Sequence, residues 1–163
     1  MSQKKQKLLF GGHSLVWAGD WSAKNARFAA SSASRAGYDL IEILIAEPEK
    51  IDAAMTKDLL AEFNLTAAGC FVINAKTDIS SADKSIVQAG EDLAKKAIDK
   101  LAAIGGVELD GPFASSLQPY EQPATKENRA NSVGAIKRIA DYAADKNINL
   151  NIEIVNRYES NLM

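Results

Sequence analysis

The chain has 163 residues, of which 47% are apolar and 25% are charged, as is typical of a soluble globular protein. The formal net charge of −2 provides no attraction for a nucleic-acid backbone, so no nucleic-acid partner is expected. No apolar run approaches the roughly 18 residues that span a bilayer, and the start lacks a signal-peptide core, so we expect a cytoplasmic protein without membrane contacts. The single cysteine, Cys70, excludes an internal disulfide, and its apolar neighbours predict an inert core thiol.

Short strand-like runs alternate with longer helical stretches along the whole chain. The predicted strands cover residues 8–15, 38–45, 65–73, 107–113 and 148–155. The predicted helices cover residues 21–37, 51–64, 83–104 and 126–146. Ser22 is predicted to cap the first helix, because a serine hydroxyl can accept a hydrogen bond from a first-turn amide. The buried stripe of the last helix is predicted to comprise Val133, Ile136, Ile139, Ala140 and Ala143.

This β-α-β-α-β-α-β-α-β order predicts right-handed crossovers and one parallel sheet. Two architectures suit it. One is a five-stranded doubly wound sheet that is complete at this length. The other is an incomplete portion of a (β/α)8 TIM barrel, which normally needs about 250 residues.

Polar residues inside the predicted strands favour the barrel. Central strands of a doubly wound sheet are covered on both faces and are therefore almost continuously apolar. Here Glu42, Glu153 and either Glu108 or Asp110 interrupt the apolar pattern, as expected of side chains that point into a barrel mouth. The first predicted strand is also not followed by GxGxxG or a Walker-type loop.

Glu153 is the most informative single residue, because a carboxylate near the end of an apolar strand needs a partner. It could form a structural ion pair with Arg157, or it could act as a metal ligand or general base. Glu42 could belong to a buried salt bridge, or it could orient a neighbouring residue that itself contacts the ligand. Glu159, taken alone, is typical of a solvated surface charge, and His13 of a hydrogen-bonded residue at the rim.

Two tryptophans, Trp17 and Trp21, follow the first predicted strand. They could cap an apolar core. Alternatively, they could form one wall of a sugar pocket, where aromatic ring faces stack on the C–H surfaces of a sugar.

Several segments occur in the order and spacing of one enzyme family. They are DWSAKN at 20–25, AGYDLIEI at 36–43, LTAAG at 65–69, ISSADKSIVQAGEDLAKKAID at 79–99 and NIEIVNRYE at 151–159. On these segments the chain resembles the ketose 3-epimerases, the D-tagatose and D-psicose 3-epimerases of the xylose-isomerase-like barrels. The resemblance covers essentially all of residues 1–163, as the N-terminal portion of a single barrel domain, and a little over half of a family member.

The resemblance implies a homodimeric or homotetrameric enzyme that binds Mn, Mg or Co and epimerises a free ketose at C3 through an enediolate. Glu153 would be one of two glutamates that exchange the C3 proton from opposite sides, and also a metal ligand. Glu159 would hydrogen-bond the substrate near O1 and O2, and Trp21 would line the pocket. His13 lies where relatives often have a tyrosine, and Glu42 is a candidate supporting carboxylate.

The resemblance also places an Asp, a His and the second Glu on strands six to eight of the family. We therefore expect residues 1–163 alone to lack a complete metal site and to be inactive. LDGPFASSLQPY at 109–120 and IAEPEK at 45–50 depart from the family pattern, which leaves the substrate open. Two other functions stay open as well: an aldose–ketose isomerase of the same superfamily, and a non-enzymatic five-stranded α/β binding module.

Overall fold

The computed structural model describes residues 8–118, 122–160 and 162. Its strands are β1 (Gly11–His13), β2 (Leu40–Leu44), β3 (Thr66–Cys70), β4 (Glu108–Gly111) and β5 (Asn149–Ile152). Its helices are α1 (Ala23–Arg35), α2 (Ala53–Glu62), α3 (Lys84–Ile104) and α4 (Lys126–Asp145). All nine predicted elements are present, although each strand is shorter than its apolar run. Within the described residues, no helix is both long enough and apolar enough to cross a bilayer.

Polar side chains begin three of the helices. The Asp52 carboxylate accepts a hydrogen bond from the amide of Met55, and the Asp83 carboxylate accepts one from the amide of Ser85. Thr125 and Asn128 form a reciprocal capping box at the start of α4.

The start of α1 differs from the prediction. Ser22 occupies the N-cap position, but its hydroxyl makes no capping hydrogen bond. The Asp20 carboxylate instead accepts hydrogen bonds from the Ser22 amide at 2.8 Å and from Asn25 Nδ2 at 2.9 Å. Ser22 is therefore the N-cap residue as predicted, but the hydrogen bond predicted for its hydroxyl does not form, because that hydroxyl bonds to the Asp20 carboxylate instead.

The buried stripe of α4 also differs from the prediction. Ile139 and Ala143 are buried as predicted, but Val133 is 53% exposed and Ile136 and Ala140 are only half-buried. The other buried positions are Ser132 and Ala135. The stripe passes through position 132 rather than 133, and one residue is a rotation of about 100° around a helix. The sequence pattern missed this because the buried position is a serine.

The sheet is parallel throughout, with the strand order β1-β2-β3-β4-β5. Each strand therefore lies beside its neighbour in the chain, and consecutive helices pack against each other along the sheet. A doubly wound sheet would reverse its strand order at a switch point. The predicted partial TIM barrel is confirmed, and the doubly wound alternative does not fit this strand order.

The two faces of the sheet differ in character. On the face that packs against the helices, which we call the outer face, Ile41, Ile43 and Leu109 are completely buried. The alternating residues lie on the opposite face, which we call the lumen face. The strand register brings Cys70 beside Asp110 there. Cys70 is half-buried and lies outside the apolar core cluster, so its predicted place in the core was wrong.

Candidate active site

The lumen face carries several polar side chains at or near the carboxyl ends of the strands, where barrel enzymes place their active sites. The register aligns His13 with Glu42 on adjacent strands, and Asp110 with Asn151 on two others. Asn151 donates hydrogen bonds to both Glu108 and Asp110, which ties β5 to β4 on this face. The predicted barrel-mouth carboxylates therefore lie on one surface.

His13 and Glu42 form a loose pair. The two side chains are 4.0 Å apart, from His13 Nε2 to Glu42 Oε2. His13 Nδ1 accepts a hydrogen bond from the Leu15 amide at 3.1 Å, so Nε2 carries the hydrogen of the neutral ring. The imidazole therefore presents a donor toward the lumen.

The pKa of the Glu42 carboxyl is raised, chiefly because burial disfavours its charged form. The attraction of His13 lowers the pKa, and repulsion from Asp110 and Glu153 raises it further. Burial, and then the carboxylates of Glu42, Glu153 and Asp110, raise the pKa of the Cys70 thiol to about 12. The lumen face therefore has a negative potential that favours cations and hydroxyl donors.

The pKa of Asp110 is raised for the same main reason. Burial raises it most, the hydrogen bond from Asn151 lowers it, and repulsion from Glu108 raises it. Asp110 is thus a strand-end carboxylate with one hydrogen-bonded neighbour, and it belongs to the same negative surface as Glu42.

Glu153 follows β5 directly, and its amide donates a hydrogen bond to Gly111 O at 2.9 Å. Its side chain is exposed and is close enough to Glu42 and Cys70 to affect their pKa values. No ion pair joins Glu153 to Arg157, although both residues are described, so the structural pairing considered for Glu153 does not form. The carboxylate can therefore bind a ligand on the lumen side.

Glu159 lies in a tight turn beyond Glu153. Its carboxylate accepts a hydrogen bond from Asn156 Nδ2, and its amide donates to Asn156 O at 3.0 Å. Glu159 is exposed. It is therefore a surface carboxylate as its sequence context predicts, but one whose orientation within the turn Asn156 fixes.

The two tryptophans have different roles. Trp21 is buried, donates a hydrogen bond from Nε1 to Thr56 Oγ1 at 2.9 Å, and forms part of the wall of a cleft of about 380 Å³. Trp17 instead packs edge-on against Tyr38, with ring centroids 5.9 Å apart. The cleft lies beside the carboxyl ends of β1 and β2 and is also lined by Ser14, Asp20, Leu44, Glu47 and Lys50.

Within residues 8–118, 122–160 and 162, no group of three or more His, Cys, Asp or Glu side chains could hold a metal ion. The available donor chemistry nevertheless suits Mn or Mg. Both ions prefer carboxylate oxygens, and Glu153 offers one at a strand end beside a negative surface. Glu153 therefore has the donor chemistry that a single ligand of such an ion needs.

One set of buried polar residues was missed by the sequence analysis. Asp78, Ser80, Ser115, Ser116 and Ser160 are all buried, and we call them the loop clamp. They connect the loops that follow β3, β4 and β5. Serine and aspartate in loops are typical of exposed turns, so only the tertiary contacts distinguish these residues.

Comparison with known proteins places this site in context. Residues 30–163 match the family model of the xylose isomerase-like TIM barrel. The chain is 54% identical over 158 residues to an L-ribulose 3-epimerase from Methylomonas sp. (strain DH-1), covering 97% of this chain and 55% of that relative. It is 39% identical over 153 residues to a ketose 3-epimerase from Arthrobacter globiformis, covering 94% of this chain and 53% of that relative.

The fold agrees with a solved structure of the same group. A crystal structure of a D-allulose 3-epimerase from Methylomonas sp. in complex with D-allulose superposes with a TM-score of 0.94 at 55% identity. The match covers 96% of this chain and 54% of that one. The chain thus spans about half the length of the relatives that it matches.

Proposed function

The chain belongs to the xylose isomerase-like TIM barrel family, and from this membership we propose that it supplies the first half of the barrel of a metal-dependent ketose 3-epimerase. The single observation that carries the proposal is the position of Glu153. This exposed carboxylate directly follows β5 beside the negative lumen face, and no ion pair joins it to Arg157 within the described residues. The similarity to 3-epimerases of Methylomonas and Arthrobacter supports this reaction class.

Inversion at C3 of a ketose requires a proton to leave one face of the carbon and return to the other. Glu153 acts on one face as general base or acid, and it also provides a ligand for Mn, Mg or Co. A divalent ion bound there would polarise the sugar oxygens and make the C3 proton more acidic. The opposite face needs a second carboxylate, which the family resemblance assigns to a part of the barrel beyond the described residues.

The other predicted site residues have complementary tasks. Glu159 accepts hydrogen bonds from sugar hydroxyls near O1 and O2, and Asn156 orients its carboxylate. Trp21 provides an apolar wall whose position its hydrogen bond to Thr56 fixes. His13 offers Nε2–H to a sugar hydroxyl, and Glu42 lies next to that nitrogen.

The substrate is a free ketose, and the relatives' names make D-allulose and L-ribulose the first to test. We further propose that the complete protein is a homodimer or homotetramer, as the family resemblance implies. Light scattering coupled to size-exclusion chromatography measures this assembly directly.

The reaction is tested by incubating the complete protein with each ketose in D2O, with Mn²⁺, Mg²⁺ or Co²⁺ or after chelation. We expect the C3 epimer to form with deuterium at C3, and the reaction to stop after chelation. An aldose–ketose isomerase would instead produce an aldose, because it moves a hydrogen between C1 and C2 and leaves C3 untouched. Formation of an aldose without any C3 epimer would overturn the proposal.

Residues 1–163 alone provide the matched control. They carry Glu153 but no described group of residues that could hold a metal ion. We expect this chain to form no epimer under the same conditions. A binding module that is complete at this length would instead be a compact monomer that unfolds cooperatively and gains no stability from metal.

A further inference from the structure

We propose that Ser115 and Ser160 are positioning residues, which hold the turn bearing Glu159 against the rest of the barrel so that its carboxylate can meet the ketose. The hydroxyls of Ser115 and Ser160 are 2.7 Å apart and form a buried hydrogen bond. This inference rests on the proposed epimerase function, because it explains how that site keeps its shape.

The segment from Glu153 to Ser160 has few attachments to the sheet. Its first residue is held by the hydrogen bond from the Glu153 amide to Gly111 O. Within 153–160, only Ser160 is buried, at 3% exposure. The hydrogen bond between Ser160 and Ser115 is therefore the anchor at the far end of the segment.

The turn next to this anchor bonds mainly to itself. The amides of Glu159 and Ser160 both donate to Asn156 O, at 3.0 and 3.1 Å. The Tyr158 amide donates to Asn156 Oδ1 at 2.9 Å. These bonds keep the shape of the turn but do not fix its position relative to the lumen, so its position depends on the attachment through Ser160.

Ser115 can serve as an anchor because both of its neighbours are held by buried hydrogen bonds. Ala114 O accepts a bond from Ser132 Oγ at 2.7 Å, which ties it to α4. Ser116 Oγ donates to Asp78 Oδ2 at 2.8 Å, which ties it to the loop after β3. The backbone around Ser115 is thus attached to α4 and to the loop after β3, neither of which belongs to the turn.

Asp78 is in turn fixed within its own loop. Its Oδ1 accepts hydrogen bonds from the amide of Ser80 at 2.9 Å and from the hydroxyl of Ser80 at 2.6 Å. Ser80 O accepts a further bond from Asn128 Nδ2, on α4, at 2.8 Å. The loop clamp therefore forms a continuous connection from the loop after β3 to the turn that carries Glu159.

The test uses Ser115→Ala, Ser160→Ala and the double variant in the complete protein. Ser160 Oγ also accepts a hydrogen bond from the Leu162 amide, so Ser115→Ala is the cleaner change. We expect Ser115→Ala to reduce kcat/KM by about 10- to 100-fold through a small displacement of the turn, mainly by raising KM. Adding Ser115→Ala to Ser160→Ala should have no further effect, because the hydroxyl that Ser115 bonds to is already absent.

Hydrogen–deuterium exchange provides a readout that does not depend on activity. Both amides are hydrogen-bonded within the turn, and without its anchor the whole turn should open to solvent more often. The amides of Glu159 and Ser160 should therefore exchange faster in Ser115→Ala than in the parent protein. If they remain as protected as in the parent, the inference is overturned whatever the kinetics. A third outcome separates the two proposals: the parent protein epimerises no ketose, but the amides still exchange faster in Ser115→Ala. In that case the proposed function fails and the anchoring role of Ser115 stands.

Arg138→Met is the matched control for a general loss of stability. It breaks the ion pair to buried Glu91 between α3 and α4, away from the turn. We expect it to leave both the KM and the exchange of the Glu159 and Ser160 amides unchanged. An equal rise in KM for Arg138→Met and Ser115→Ala would mean that lost stability alone explains the effect, and would overturn the inference.

Discussion

The two faces of the sheet are made from alternating residues of the same strands, yet they are specified by different physics. On β2, Ile41 and Ile43 point to the outer face and are completely buried, while Glu42 between them points to the lumen and is half-buried. The outer face gains stability from removing apolar surface from water. On the lumen face, burial first and then repulsion between neighbouring carboxylates raise the pKa values of Glu42 and Asp110, which opposes folding at neutral pH.

This difference indicates that the outer face stabilises the fold, whereas the lumen face carries the candidate functional groups. Changes on the outer face should alter stability, and changes at the carboxyl ends of the lumen face should alter activity. Glu153→Gln and Ile43→Ala, each with its matched control, test that division.

The largest effect is expected for Glu153→Gln at the end of β5. An amide cannot exchange the C3 proton, so we expect kcat to fall by about 10²- to 10⁴-fold. Because Glu153 is exposed, the free energy of unfolding of the metal-free protein should hardly change. Initial rates of epimer formation with metal and urea denaturation after chelation measure the two quantities.

Glu108→Gln is the matched control for this variant. Glu108 lies on the same face, but at the amino-terminal start of β4, where its carboxylate accepts hydrogen bonds from Asn149 and Asn151. We expect a rate close to that of the parent protein. If both variants lose activity equally, charge on the lumen face matters generally and Glu153 has no special role.

The outer face is tested by Ile43→Ala. Ile43 is completely buried in the core between the sheet and the helices, so the cavity should cost about 2–5 kcal/mol of unfolding free energy. Leu44→Ala, one residue later on the half-buried lumen face, should cost less. Urea denaturation compares the two variants, and a larger loss for Leu44→Ala would reverse the assignment of the faces.

The fold was largely predictable because hydrophobic periodicity reports the burial of whole elements. The strands were predicted too long because apolar residues continue beyond the hydrogen-bonded ladder. Leu8 and Phe10, for example, were assigned to the first strand but lie before β1 and are exposed. An apolar run shows which residues avoid water in general, whereas strand ends depend on where neighbouring backbones pair.

The site residues were predictable where a charged side chain stands within an otherwise apolar strand. Glu42 and Glu153 stand out because carboxylates interrupt apolar strands. Cys70 was misplaced because its neighbours in LTAAGCFVI are apolar on both faces, so only the strand register reveals that it faces the lumen. Ser115 and Ser160 gave no signal because their burial depends on contacts 45 residues apart in the chain.

Cys70 provides a chemical test of that corrected position. A thiol whose pKa rises from 9.0 to about 12 carries about 10³-fold less thiolate at mildly alkaline pH, and the thiolate is the nucleophile. We expect iodoacetamide to label Cys70 far more slowly in the folded protein than in urea. Mass spectrometry of the Cys70 peptide measures both rates, and similar rates would exclude the burial and the negative surroundings that raise the pKa of this thiol.

The smallest effect is expected for Glu42→Gln, measured as the pH dependence of stability in the metal-free protein. Burial raises the pKa of Glu42 in the folded state above its ordinary value of 4.5. Between the two pKa values the folded state binds more protons than the unfolded state, so the parent protein loses stability as pH rises through this range. An amide at this position cannot ionise, so the variant should avoid that loss.

The two proteins should therefore be about equally stable below pH 4.5, and Glu42→Gln should become the more stable one as pH rises towards neutrality. Urea denaturation at a series of pH values measures the difference, with exposed Glu127→Gln as the control for removing one carboxylate. His13, Asp110 and Glu153 all act on Glu42, and only His13 stabilises its charge. If Glu42→Gln instead became less stable with rising pH, the attraction of His13 would outweigh burial, and the pair would hold the lumen face together.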